Sequence, residues 1–284
     1  MALVGMCAAA EAAAADAILV TQAARSVRQG EVVLFTASAL EALDALRVRA
    51  FDRDVATFRL DDHTWQSLLG IDLGTKAGSY VVSFEGVSGG QSVTATTTIR
   101  ITARVFATRK LTVDDAFVNP PVPLLERINE EAAELGRLWM QSAPSRLWND
   151  SFVRPVPGRA NSAFGTRSIF NGERRQPHGG ADLLSPAGTP VRAPNGGRVV
   201  LARDLYFTGN TVVIDHGLGV FSLLAHLSIL DVHEGDTVAR GDTIGAVGAT
   251  GRVTGPHLHW AVRVNDARVD PLAVLAVLGP PGNP

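Results

Sequence analysis

Six of the seven histidines in this 284-residue chain fall between positions 178 and 259: His178, His216, His226, His233, His257 and His259. Two of them flank a single leucine in GPHLHWAV, residues 255–262. In a strand, side chains two apart share a face. His257 and His259 are therefore expected to point together, about 7 Å apart along the strand, with Leu258 and Trp260 turned into a core. Upstream, PHGGAD (177–182) places three residues between His178 and Asp182, two of them glycines that let a backbone bend closely around an ion. Imidazole and carboxylate both bind zinc, at ~2.0–2.2 Å. His178, Asp182 and one histidine of the HLH pair make three protein ligands. A fourth position is then open to water, which is the arrangement of catalytic rather than structural zinc. Cys7 is the only cysteine, so neither an intrachain disulfide nor a cysteine-based zinc site is available.

The elements that must hold these residues can be read from the rest of the chain. Its length suffices for two modest domains. A formal charge of −2 and a pI near 6.4 leave no electrostatic footprint for nucleic acid or an anionic membrane surface. Residues 21–110 contain short β-rich runs, EVVLFTA, LRVRAF, VATFRL and SYVVSFE, followed by the alternating QSVTATTTIRITARVF. With turn signals between them, they predict an immunoglobulin-like β-sandwich. Residues 111–145 read as a linker. NPPVP (119–123) breaks any element, and Leu124, Ile128, Leu135 and Trp139 then recur at helical spacing. The helix is expected to pack on a domain, with Glu130, Glu131 and Glu134 on its solvated face. From 146 to 278 the chain becomes glycine-rich. Nineteen of its 28 glycines lie beyond residue 150, between apolar runs, which predicts a mainly antiparallel β domain. Residues 279–284 are a tail. Residues 1–20 are alanine-rich, too short to span a membrane, and are read as the remnant of an export signal. They lack a basic start, and Glu11 and Asp16 interrupt them.

Several stretches, in order, resemble the lysostaphin/LytM-type zinc endopeptidases of bacterial peptidoglycan: FGTR (164–167), HGGAD (178–182), SPAGTPVRAPNGGRVV (185–200), GNTVVIDHG (209–217), LAHLS (224–228) and VHEGDTVARGDTIGAVGATGRVTGPHLHW (232–260). The resemblance covers roughly residues 146–275. It implies a glycine-rich antiparallel groove, with His178, Asp182 and His259 as zinc ligands and His226 and His257 as catalytic histidines. This chain departs from the pattern at Leu224, where many members carry an aromatic residue, and at Trp260–Ala261, where many carry an acidic one.

The activity so implied is hydrolysis of stem-peptide or cross-link bonds by zinc-bound water, in the periplasm or outside the cell. No HExxH helix or nearby glutamate is present, so a histidine is the reasonable acid/base; the sequence does not say whether His226 or His257 is the base. Four polar residues remain candidates for contact with the ligands or substrate: Arg167, Asn210, Asp215 and His216. Structural roles are the favoured reading of each. The competing function is a non-catalytic wall-binding activator of another hydrolase. Such relatives have typically lost metal ligands, whereas this chain retains all five site residues.

Overall fold

The computed structural model describes residues 18–112, 118–162, 164–174 and 176–280. Most of the segment read as an export remnant lies outside them. Its last residues open the first strand, Ile18–Ala23. Two four-stranded antiparallel sheets follow. One runs Ile18–Ala23, Val32–Ala39, Thr64–Gly70, Thr57–Arg59; the other runs Arg53–Val55, Ala45–Ala50, Gly78–Ser88, Gln91–Ile101. Alternation drives their packing: Leu46, Val48 and Ala50 point inward while Ala45, Arg47 and Arg49 face water. Phe35 and Phe84 meet edge-to-face between the sheets at 5.6 Å. The run VATFRL is split. It leaves one sheet at Val55 and enters the other at Thr57, and the Ser67 hydroxyl donates to the Ala56 carbonyl between them.

The helix Val122–Leu138 begins with Pro123 in its first turn. Leu135, Leu138 and Trp139 pack against Leu201, Leu205, Val213 and Phe221. The acidic face is not simply solvated. Glu131 is buried, accepts from Arg127 Nε at 2.6 Å and from the Tyr206 backbone N–H at 2.8 Å, and Glu134 pairs with Arg203. These carboxylates moor the helix to the sheet beneath it.

The C-terminal half is a ten-stranded antiparallel sheet. Its central path is Ala160–Ser162, Gly180–Leu183, Leu258–Val264, Val220–Leu230, Gly209–Gly217, Gly197–Leu205, Thr237–Val238. Along Leu258–Val264 burial alternates without a break: Leu258, Trp260, Val262 and Val264 fill the core, and His259, Ala261 and Arg263 take the other face. A short helix, Pro271–Leu278, is capped by the Asp270 carboxylate accepting from Leu272 N at 3.0 Å.

The two halves share one core. Val32, Phe58 and Leu68 of the N-terminal sheets belong to the same buried cluster as Trp260 and Val262. Arg25 bridges Glu31 and the buried Asp270, both at 2.7 Å, and Arg268 pairs with Asp72 at 2.9 Å. The end of the expected sandwich, up to the first residue of the expected linker, pairs with the C-terminal half. Thr108–Leu111 lies parallel to Arg167–Phe170, whose other neighbour is Glu173–Arg174. Among the described residues, no helix is long and apolar enough to cross a membrane.

Candidate metal centre

Three adjacent strands of the large sheet build the site. In the pairing of Gly180–Leu183 with Leu258–Val264, Asp182 lies directly opposite His259, and on the other side His259 lies opposite Ala225. His178 precedes the first of these strands. Its backbone N–H donates to Thr166 O at 2.9 Å, and its carbonyl accepts from Gly165 N at 2.8 Å. The FGTR segment thus holds this histidine by the main chain. Gly180 is required for close approach, since a Cβ there would lie 2.4 Å from Trp260 O and 2.9 Å from His259 Cε1. Gly179 meets no such obstacle.

His178 Nε2, Asp182 Oδ1 and His259 Nδ1 form a near-equilateral triangle, with sides of 3.0, 3.1 and 2.9 Å. Ligand atoms around a tetrahedral zinc with bonds of about 2.0–2.1 Å lie roughly 3.3–3.4 Å apart. The trio therefore fits a divalent ion with a slight opening. The donor chemistry also fits. Burial raises the Asp182 carboxyl, but hydrogen bonds from His178 and His259 and the charges of those rings outweigh it, leaving the group far below the usual carboxylate range. Burial likewise lowers His259, with a hydrogen bond to Asp182 opposing it and the charge of His178 adding to the lowering, a direction that favours the neutral ring a ligand needs.

His226 and His257 stand beside the trio, their ring centroids 5.0 Å apart. His257 Nε2 is 3.6 Å from Asp182 Oδ1, and the His226 ring is 5.9 Å from that of His259. Each presents Nδ1 to a backbone carbonyl: His226 to Thr250 O and His257 to Gly255 O, both at 2.9 Å. A carbonyl can only accept, so both Nδ1 atoms carry hydrogen, and in the neutral form of each ring Nε2 holds the lone pair. Burial, reinforced by the charge of His259, pushes His226 down to about 3. Its backbone is in the left-handed region, φ 66°. The pairing of its strand with Thr243–Val247 shifts register just beyond it, between Leu227 and Ile229. Such a conformation is costly for a non-glycine residue and marks a constrained position. Nothing in the strand pattern around LAHLS signals it.

The remaining sequence candidates lie elsewhere. Asp215 is buried at the far end of its strand, where it accepts from Ser142 Oγ, Ala143 N and Gly217 N. His216 is fully buried. It bonds Gly196 O at 2.7 Å and Ser222 Oγ at 2.9 Å and stacks edge-on against Phe152; burial lowers it to about 4. Ser222 also accepts from Trp260 Nε1, which places this network on the core face, behind His259. Arg167 is exposed and makes no ion pair among the described residues; its backbone N–H donates to Ala107 O. Asn210 donates its main-chain N–H to Thr250 Oγ1 at 2.9 Å and its side-chain amide to Ser228 O at 3.4 Å. None of the four touches the trio. Contacts that sequence reasoning missed, namely Thr250 and the carbonyl of Gly255, belong to the loop 248–257, whose glycines and threonines signalled a turn but not a role.

An antiparallel sheet with two histidines and an aspartate converging on one ion-sized triangle, flanked by two more histidines, defines a metallohydrolase-type centre. The sequence profile of Peptidase family M23 matches residues 176–271, which contain all five residues. A Pseudomonas aeruginosa protein assigned to peptidase M23 has a crystal structure that superposes with a TM-score of 0.69 at 33% identity, covering 89% of this chain and 96% of that one. The chain belongs to Peptidase family M23. It is also similar to the peptidoglycan DD-endopeptidase ShyA of Vibrio cholerae, with 42% identity over 113 residues, and to the DD-carboxypeptidase/endopeptidase Mpg of Neisseria meningitidis, with 43% over 116 residues. These matches take in 39% and 41% of this chain but only 26% and 27% of those longer proteins.

Proposed function

We propose that this chain is a zinc-dependent endopeptidase of the cell envelope, periplasmic or secreted, which hydrolyses peptide bonds in peptidoglycan stem peptides or cross-links. The observation that carries the proposal is the triangle of His178, Asp182 and His259 with the rings of His226 and His257 beside it, each held through Nδ1 by a backbone carbonyl. The similarity to two cell-wall peptidases supports the choice of substrate. The N-terminal unit, read as an immunoglobulin-like sandwich, serves as a fixed buttress of the catalytic sheet, sharing its core rather than swinging over the groove.

When bound, zinc supplies Lewis-acid polarisation of the scissile carbonyl and makes water nucleophilic near neutral pH. His257, whose Nε2 faces Asp182, takes the proton of the attacking water. As the C–O bond forms and the C–N bond breaks, that proton passes to the leaving nitrogen, and the charge on His257 is stabilised meanwhile by the Asp182 carboxylate. His226 resists protonation, so its Nε2 stays an acceptor that orients water or a substrate N–H.

The test is to incubate the zinc-loaded full chain with peptidoglycan and identify the released muropeptides by mass spectrometry. New peptide ends are expected, abolished by a chelator and restored by zinc. A profile identical to that of a His257→Ala control would overturn the reading in favour of a wall-binding activator.

A further inference from the structure

The loop 248–257 connects strands Thr243–Val247 and Leu258–Val264 and serves both working histidines. One of its carbonyls, Thr250 O, receives Nδ1–H of His226, and another, Gly255 O, receives Nδ1–H of His257. The loop closes on itself where His257 N donates to Gly248 O at 3.3 Å. Its fixed point is Thr250. The Thr250 hydroxyl donates to Leu227 O at 2.9 Å and accepts from Asn210 N at 2.9 Å. Leu227 follows His226 in the chain. Asn210 lies two residues beyond Thr208, whose carbonyl takes the His226 backbone N–H at 2.9 Å. One side chain thus ties together both strands around His226, and its own carbonyl grips the ring. The space is tight: a Cβ on Gly209 would lie 2.3 Å from Thr250 Oγ1, and one on Gly251 would lie 2.4 Å from Gly209 N. A left-handed residue beside a register shift has no regular ladder to hold it. The Thr250 bonds replace that ladder.

We infer that Thr250 is a positioning residue for the hydrolysis proposed above. Its hydroxyl locks the loop so that His226 is held in the Nδ1–H tautomer with Nε2 aimed at the metal centre. The hydroxyl, not the bulk of the side chain, is what matters. Thr250→Val keeps the shape and removes both bonds, whereas Thr250→Ser keeps both bonds. Thr250 touches no proposed ligand, so zinc content should not follow turnover.

The experiment uses the full zinc-loaded chain and both variants. In Thr250→Val, kcat is expected to fall about tenfold or more, in the range of a misplaced acid–base group, with KM within about twofold and one zinc per chain retained. Thr250→Ser should recover most of the loss. Nitrogen-15 spectra of the histidine rings should show the protonated Nδ1 of His226 in the wild type and the serine variant, and lose that pattern in the valine variant. A valine variant with unchanged kcat, unchanged ring signals, or loss of zinc in step with activity would overturn the inference. If the wild-type chain cuts no peptidoglycan, the functional reading fails, and the ring spectra alone then decide the role of Thr250.

Discussion

Replacing Asp72 by asparagine should weaken the whole molecule, not only the N-terminal sheets. The Asp72 carboxylate accepts Arg268 Nη2 at 2.9 Å, Arg268 Nε at 3.0 Å and Arg268 N at 2.9 Å across the junction of the two halves. Gly74 N adds a fourth bond at 2.7 Å. Burial alone would raise this carboxyl; the bonds from Arg268 and Gly74 and the charge of Arg268 outweigh it and lower the group from 3.8 to about 2. The lowering is worth about 2.4 kcal/mol at face value. The pair is partly open to water, and screening reduces this to about 1–2 kcal/mol. The folded value lies below the unfolded one, so the contribution is complete above about pH 4. It disappears as pH falls towards about 2. For a chain of this size, about 2–4 °C of Tm accompanies each kcal/mol. Thermal unfolding at neutral pH should therefore give Asp72→Asn a Tm about 2–8 °C lower, in a single transition, and the gap should close in acid. Equal Tm values at neutral pH, a gap unchanged at pH 2, or separate melting of the two halves in the wild type would refute the reasoning.

Two further substitutions test the centre itself. His259→Ala should lose bound zinc, whereas His257→Ala should lose turnover with zinc still bound; equal zinc loss in a metal assay would show that the division between ligand and base is wrong. Gly180→Ala drives a methyl group into Trp260 O and His259 Cε1. It should cost about 1–3 kcal/mol of stability and weaken zinc binding in chelator competition, and wild-type behaviour in both measurements would exclude the close-approach role.

Much of this was readable in the sequence because a period of two is unambiguous where one face is fully buried. In the sequence, Leu258, Trp260 and Val262 set the face of His259, and the structure carries that alternation on to Val264. Of the N-terminal strands, 91–101 was legible by alternation, and 32–39, 45–50 and 78–88 as short β-rich runs. The failures have a common cause. Thr108–Leu111 is a strand only because Arg167–Phe170 supplies its partner from far along the chain. Glu131 is charged, so helical periodicity placed it in solvent, yet it is buried because Tyr206 N and Arg127 satisfy it. Asp215 and His216, by contrast, were favoured as structural residues, and they bond Ser142, Gly196 and Ser222.

The site divides along the same line. The placing of Asp182 opposite His259 reflects strand register, which the alternating pattern restricts, while His178 is held just ahead of the strand by the main chain of Gly165 and Thr166. The aim of His226 does not follow from that pattern, because alternation assumes regular backbone and His226 has φ 66°. Counting in twos from Leu224 places His226 on the core face with Leu224, opposite to where a ring serving the metal centre must point. The left-handed turn at His226 and the register shift beside it are what bring the ring to the groove. A residue whose function depends on leaving the strand pattern cannot be found by reading that pattern. What can be read is the density of glycine and threonine at 208–211 and 248–255, the material from which the departure is built. A His226 flattened back into β geometry would turn inward, and the metal trio could remain intact while the second histidine was lost to the reaction.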